Sequence, residues 1–188
     1  MTSSEGDELA QLLLDRAFLE GDFVLRSGKR SSWYLDKYRF ETDPGVLRLL
    51  GARLADAVSA FEPDADRLAG PALGAVALAA SASLASDRPF IIVRGQTKEY
   101  GTAKRIEGPF ESGELVCLLE DVVTTGGALV EAVAALRDEG LLVRNAVCVV
   151  DREDGGSDAL ARVGVRLRAL FRAGELQELR KTAAKRHG

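Results

Sequence analysis

Histidine is almost absent from this chain: the one copy among 188 residues, His187, stands beside the C-terminus in a tail, RKTAAKRHG, that reads as frayed and solvated. Nucleophiles activated by histidine and zinc held by histidine are thereby excluded. Cysteine is nearly as scarce. Cys117 and Cys148 lie in the apolar runs LVCLLE and AVCVV, where a thiol packs as a small hydrophobe. No disulfide framework is expected, and a reducing cytosol is the natural setting. Positive charge is short as well: 25 Lys and Arg stand against 29 Asp and Glu, a formal net charge of -4 that repels nucleic acid and anionic lipid. No apolar run approaches the roughly 20 residues that span a bilayer, and the opening TSSEGD has neither the basic start nor the apolar core of a secretion signal. What remains is chemistry run on carboxylates, basic groups, backbone amides and a hard metal. The protein is expected to be soluble and cytoplasmic, with no nucleic-acid or membrane partner.

What is present is enough apolar material, 46% of the residues, to bury one ordinary core. Residues 8–20 carry Leu9, Leu12, Leu13 and Phe18 at helical spacing, and Gly21 closes the predicted helix. Phe23, Val24 and Leu25 face Trp33, Tyr34 and Leu35 across the turn-like SGKRSS, which predicts a short strand pair. Asp43 caps and Pro44 opens a helix reaching about residue 61, with Val46, Leu49, Leu50, Leu54 and Val58 on its apolar side. Short apolar strands are then predicted at 67–69, 90–93, 115–119, 143–150 and 165–170, interleaved with helices at 74–86, 126–139 and 158–163. The alternation implies an α/β fold with a central parallel sheet flanked by helices. Ligands of such sheets bind beyond the C-terminal strand ends. Chemistry is therefore sought in the loops GPALG, RGQTKEYGTAKRIEG, EDVVTTGG and DREDGG.

The string LLEDVVTTGGA is a buried strand, two adjacent acids, and a hydroxyl- and glycine-rich turn entering a helix. Glycines let backbone approach a phosphate, the first-turn amides point at it, and the helix dipole favours its charge. Thr124 and Thr125 add hydroxyl donors, while Glu120 and Asp121 suit ribose hydroxyls or a magnesium ion. A strand, a Thr-Gly turn and a helix also recur in α/β proteins that bind no phosphate. The full string resembles the 5-phosphoribosyl-1-pyrophosphate (PRPP) signature of the type I phosphoribosyltransferases. That resemblance implies that Glu120 and Asp121 take the ribose hydroxyls, with Asp121 among the catalytic groups. It implies that Val123, Thr124, Thr125, Gly126, Gly127 and Ala128 cradle the phosphate, and that Mg2+ is bridged by PRPP rather than held directly by side chains.

Three further segments choose among bases. FVLRSGKRSSWYLD, VRGQTKEYGTAKRIEG and VDRE resemble, in order and spacing, the base-binding segment, the mobile catalytic loop and the DR element of the orotate phosphoribosyltransferases. The match covers about residues 9–171. It implies the type I phosphoribosyltransferase fold as a single domain over 1–188, with a small N-terminal hood over about 1–40 and a PRPP-binding core over about 64–171. It assigns orotate to Arg26, Tyr34, Thr124 and Arg152, and PRPP contacts to Arg94, Lys98 and Tyr100, of which Arg94 and Lys98 are catalytic. A homodimer is implied, in which loop 94–108 reaches the neighbouring active site.

Residue chemistry bears on the same choice. Arg152 at a strand end offers a bidentate fork to a carboxylate; its alternative is a surface arginine paired with Asp151 or Glu153. The Tyr34 ring can stack on a pyrimidine, whereas Trp33 reads as a core aromatic. The mixed charges of loop 94–108, including Lys104 and Arg105, describe either a solvated face or a lid closing over departing pyrophosphate. The chain departs from the family at Gly95, Tyr100 and Leu73, where basic residues are common. Weaker PRPP binding or slower turnover is the expected consequence. A phosphoribosyltransferase for another base and a non-catalytic PRPP-sensing regulator are the alternatives. Against the second, too few residues precede the first strand for a DNA-reading module, and the net charge is negative.

Overall fold

The computed structural model describes residues 3–24, 28, 30–95 and 105–187. Helix α1 (Ser3–Ala17) buries Leu9, Leu13 and Leu14 and gives way at once to β1 (Phe18–Val24), which pairs antiparallel with β2 (Arg30–Leu35). Gly21 is thus a strand residue and not a helix stop. It lies where the register slips between Glu20 and Phe23, an irregularity that a residue without a side chain absorbs. A short helix α2 (Lys37–Glu41) leads to α3 (Pro44–Phe61), whose first amides, Gly45 and Val46, donate to Asp43 Oδ1 at 2.9 and 3.0 Å. Val46, Leu50, Leu54 and Val58 form its buried ridge, but Leu49 is 43% exposed. The close contact beside that ridge is made instead by Gly51, whose missing Cβ leaves room for Ser81.

The second sheet has six strands in the order β5-β4-β3-β6-β7-β8. They are β3 (Arg67–Pro71), β4 (Phe90–Val93), β5 (Ile106–Glu107), β6 (Leu115–Val123), β7 (Leu142–Asp151) and β8 (Arg166–Arg172). All neighbours are parallel except β5, which returns antiparallel to β4. The helices α4 (Gly74–Ser86), α5 (Gly127–Asp138) and α6 (Gly156–Arg162) connect strands, and α7 (Ala173–His187) ends the chain. The tail is therefore helical rather than frayed. Leu176, 1% exposed, anchors it, and Arg180 reaches back to Glu20 at 2.8 Å and to the Phe18 ring at 4.9 Å.

Alternating side chains divide the sheet's two faces. Cys117 and Leu119 of β6 pack with residues of α1, α3, α4 and α7, whereas Val116 and Leu118 pack with residues of α5 and α6. Continued two residues further, this alternation places Asp121 on the first face and Glu120 on the second. Among the described residues no helix is long and apolar enough to cross a membrane.

Candidate active site

The parallel strands end together, with Pro71 beside Val93, Val123 beside Asp151, and Asp151 beside Arg172. β6 continues past the predicted residue 119 to Val123, so both acids belong to the strand and the turn starts at Thr124. Gly126 caps α5 with φ +79° and, having no side chain, gives the first-turn amides no cap bond. A Cβ on Gly126 would lie 3.0 Å from the Cα and O of Gly156, so the turn is pressed against the start of α6. Val123 is buried, while Thr124, Thr125, Gly127 and Ala128 are exposed. Uncapped amides, two hydroxyls and the positive end of a helix thus face outward at one point, an arrangement suited to an anion.

Behind the turn the acids are enclosed. Lys37 Nζ lies 2.5 Å from Asp121 Oδ2, and the Asp121 side chain is 3% exposed. Glu120 accepts the Asp121 amide at 3.0 Å. Glu41 is 4% exposed, and its Oε1 is buried with no hydrogen-bond partner. Burial, reinforced by the nearby charge of Asp121, pushes both Glu41 and Glu120 up to about 8. Burial works against the Lys37 ammonium, but its bond to Asp121 and the charges of Asp121, Glu41 and Glu120 outweigh that and raise it. Sequence reasoning missed Lys37 and Glu41. The available signal was their i,i+4 spacing, which puts both on one face of the segment directly after the aromatic strand.

At the end of β7, the Arg152 amide donates to Val123 O at 2.8 Å, tying this residue to the strand that carries the turn. Its guanidinium carbon lies 3.9 Å from the centre of the Trp33 ring, its Nε is buried without a partner, and burial holds it below the usual arginine range. Asp151 Oδ1 accepts the Glu153 amide at 2.8 Å, so that carboxylate closes the local turn. No ion pair joins Arg152 to either neighbour among the described residues. Trp33 is half-buried and stacked on Phe18, with centroids 5.1 Å apart and planes within 3°. It packs against the edge of the core, as a core aromatic does, and its ring also serves as a platform for Arg152. Tyr34 is 40% exposed and tilted against Phe23 at 5.5 Å.

Arg94 is exposed at the root of its loop, paired with Glu107 at 3.0 Å, and its amide donates to Arg105 O at 2.8 Å. The strands on either side of it, β4 and β5, pair antiparallel through Ile92 with Glu107 and Val93 with Ile106. Arg26, Lys98, Tyr100 and Lys104 lie outside the described residues. Leu73 is 73% exposed in the loop entering α4. A separate cavity of about 760 Å3 lies between α1, the β1–β2 pair and α7, lined in part by Leu14, Phe18, Trp33 and Arg180.

No protein-family model matches the chain. A protein of Methanocella arvoryzae named orotate phosphoribosyltransferase is 46% identical over 170 residues, covering 90% of this chain and 95% of that protein. One of the same name from Halobacterium salinarum is 45% identical over 174 residues, covering 93% of this chain and 97% of its own. Among solved structures, the orotate phosphoribosyltransferase of Aeropyrum pernix superposes with TM-score 0.80 at 35% identity, covering 90% of this chain and 96% of that one. The Mycobacterium tuberculosis orotate phosphoribosyltransferase in complex with PRPP gives TM-score 0.76 at 30% identity, covering 92% and 99%.

Proposed function

This chain belongs to the orotate phosphoribosyltransferase family, and we propose that it joins orotate to PRPP at the strand ends described above, yielding orotidine 5'-monophosphate and pyrophosphate. Its fold is that of the type I phosphoribosyltransferases, and its class of reaction is pentosyl transfer. One observation carries the assignment of the site: the outward-facing, uncapped turn 124–128 sits directly beyond a buried acid pair, and Arg152 is hydrogen-bonded to the same strand.

In the proposed arrangement, the amides and hydroxyls of Thr124, Thr125, Gly126, Gly127 and Ala128, with Val123 packed beneath, grip the 5-phosphate. Glu120 and Asp121 fix the ribose through its hydroxyls. Arg152 offers its fork to the orotate carboxylate while Tyr34, Arg26 and Thr124 border the ring. A bond forms between an orotate nitrogen and the anomeric carbon as the bond from that carbon to pyrophosphate oxygen breaks, and the electron pair leaves with pyrophosphate. The orotate nitrogen gives up its proton as its new bond forms, and the departing pyrophosphate, whose oxygens gain negative charge, accepts it, so no histidine base is needed. The chain's task is to position the reactants, exclude water and offset the departing charge, with Arg94, Lys98 and Tyr100 acting from the loop.

Magnesium enters this scheme on PRPP. Asp121 is bonded to Lys37, so its carboxylate is already engaged by an ammonium. This donor set suits a cation held by the oxygens of the substrate. We further assign a hood to about 1–40 and the PRPP-binding core to about 64–171 of one domain. The proposal also includes a cytoplasmic homodimer whose loop 94–108 serves the neighbouring site.

Mixing the protein with PRPP, Mg2+ and orotate tests the reading. Orotate absorbance is expected to fall, with no product from uracil or adenine. PRPP binding without loss of orotate would favour the sensing regulator, and turnover of another base would replace the substrate.

A further inference from the structure

We propose that Lys37 is a positioning residue of the sugar site: it clamps the Asp121 carboxylate in the orientation that receives the ribose hydroxyls, with Glu41 closing the clamp from the next turn of α2. The inference rests on the reading of Asp121 as a ribose ligand.

Three structural relations support it. The first is the contact itself, Nζ to Oδ2 at 2.5 Å, made between α2 and β6 across 84 positions of sequence. A carboxylate this enclosed needs a counter-charge, because an unpaired buried charge costs several kcal/mol. The second is the start of α4. Gly74 presses against the pair, and a Cβ there would overlap the Asp121 carboxyl group and fall 2.6 Å from Lys37 Nζ. The helix start, the lysine and the acid thus form one close contact with little room for another arrangement. The third is the surrounding charge. Among the described residues Asp36, which precedes α2, Glu41 on α2 and Glu120 on β6 also act on the cluster, and the first turn of α4 contributes no acid. One ammonium therefore serves several carboxyl groups, and its shortest bond selects Asp121.

The clamp also connects the two halves of the site. Lys37 follows β2 by two residues, and β2 carries Trp33 and Tyr34. The Asp36 amide donates to Ala17 O at 2.8 Å, which fixes the start of α2 against the end of α1. A shift in the base-binding strand is thereby transmitted to the acid under the sugar.

The experiment is steady-state kinetics of Lys37→Met, Asp121→Asn and the double variant, with orotate and PRPP varied separately. Lys37→Met is expected to raise the PRPP KM about tenfold or more while the orotate KM stays within twofold. The double variant should be no worse than Asp121→Asn alone, since both changes remove one interaction. Lys37→Arg, which keeps the charge, should recover part of the loss. A PRPP KM within twofold of wild type in Lys37→Met, equal rises in both KM values, or additive effects in the double variant would overturn the inference. Should Lys37→Met fail to fold, Lys37→Gln carries the same test with the same outcomes. If Asp121→Asn itself leaves the PRPP KM unchanged, the sugar-site reading falls. If only Lys37→Met is silent, that reading stands and the clamp alone is lost.

Discussion

Arg152 is held at two points: its guanidinium carbon lies 3.9 Å from the centre of the Trp33 ring, and its main-chain amide donates to Val123 O at 2.8 Å. The side chain proposed to meet orotate is therefore aimed by an aromatic from the hairpin and registered by the strand that carries the phosphate turn. A cation–π contact of this kind contributes roughly 0.5–2 kcal/mol. Trp33→Leu is expected to raise the orotate KM by roughly 3- to 30-fold, with the PRPP KM unchanged and Trp33→Phe in between. Kinetics with orotate as the varied substrate checks this, and an unchanged orotate KM in Trp33→Leu would contradict it.

The pyrophosphate side offers a gain of function. Among the described residues nothing lies within 4 Å of a Cβ built on Gly95, so none of them obstructs a longer side chain there. The side chain of its neighbour Arg94 is held, among the described residues, by an exposed pair with Glu107, of a kind that contributes about 0–1 kcal/mol. Gly95→Lys should raise kcat/KM for PRPP by about 3- to 10-fold by adding positive charge where pyrophosphate departs. No gain in that constant would count against the lid assignment.

Stability should depend on pH through the enclosed acids. Glu41 and Glu120 stand at about 8 in the fold, against an ordinary value of 4.5. Between those values the folded chain holds protons that the unfolded chain has lost, so these groups make stability fall as pH rises. Glu41→Gln removes one of them. Denaturant unfolding of both proteins at about pH 5 and about pH 8 should show a shallower decline in the variant. Parallel declines would show that Glu41 titrates as an ordinary surface acid.

The strands, the connecting helices and the glycine-rich turn between β6 and α5 were legible because each is written in contiguous residues: apolar runs, glycines and the paired acids of EDVVTTGG. The segment DKYRFE gave no such signal. No role was read from it, and only the return of β6 beneath it brings Lys37 and Glu41 to Asp121. Trp33 packs against the core as its sequence setting suggested, but its contact with Arg152, which follows β7, joins residues far apart in sequence and has no local signal. Gly21 misled because a glycine after a helical pattern suits a stop and a strand irregularity equally well. The tail looked loose because residues 180–188 carry no apolar periodicity, and its contact to β1, Arg180 with Glu20, is a long-range pair that no local pattern encodes.

The grip of turn 124–128 on a sugar phosphate is tested most directly by titrating Mg-PRPP calorimetrically into the wild type and into Gly126→Ala. Alanine at φ +79° with its Cβ 3.0 Å from Gly156 strains the cradle, by about 1–3 kcal/mol. Saturable heat with the wild type, and affinity at least about tenfold weaker in a variant that still unfolds cooperatively, is the expected result. No heat with the wild type, or equal affinity in the two proteins, would contradict it.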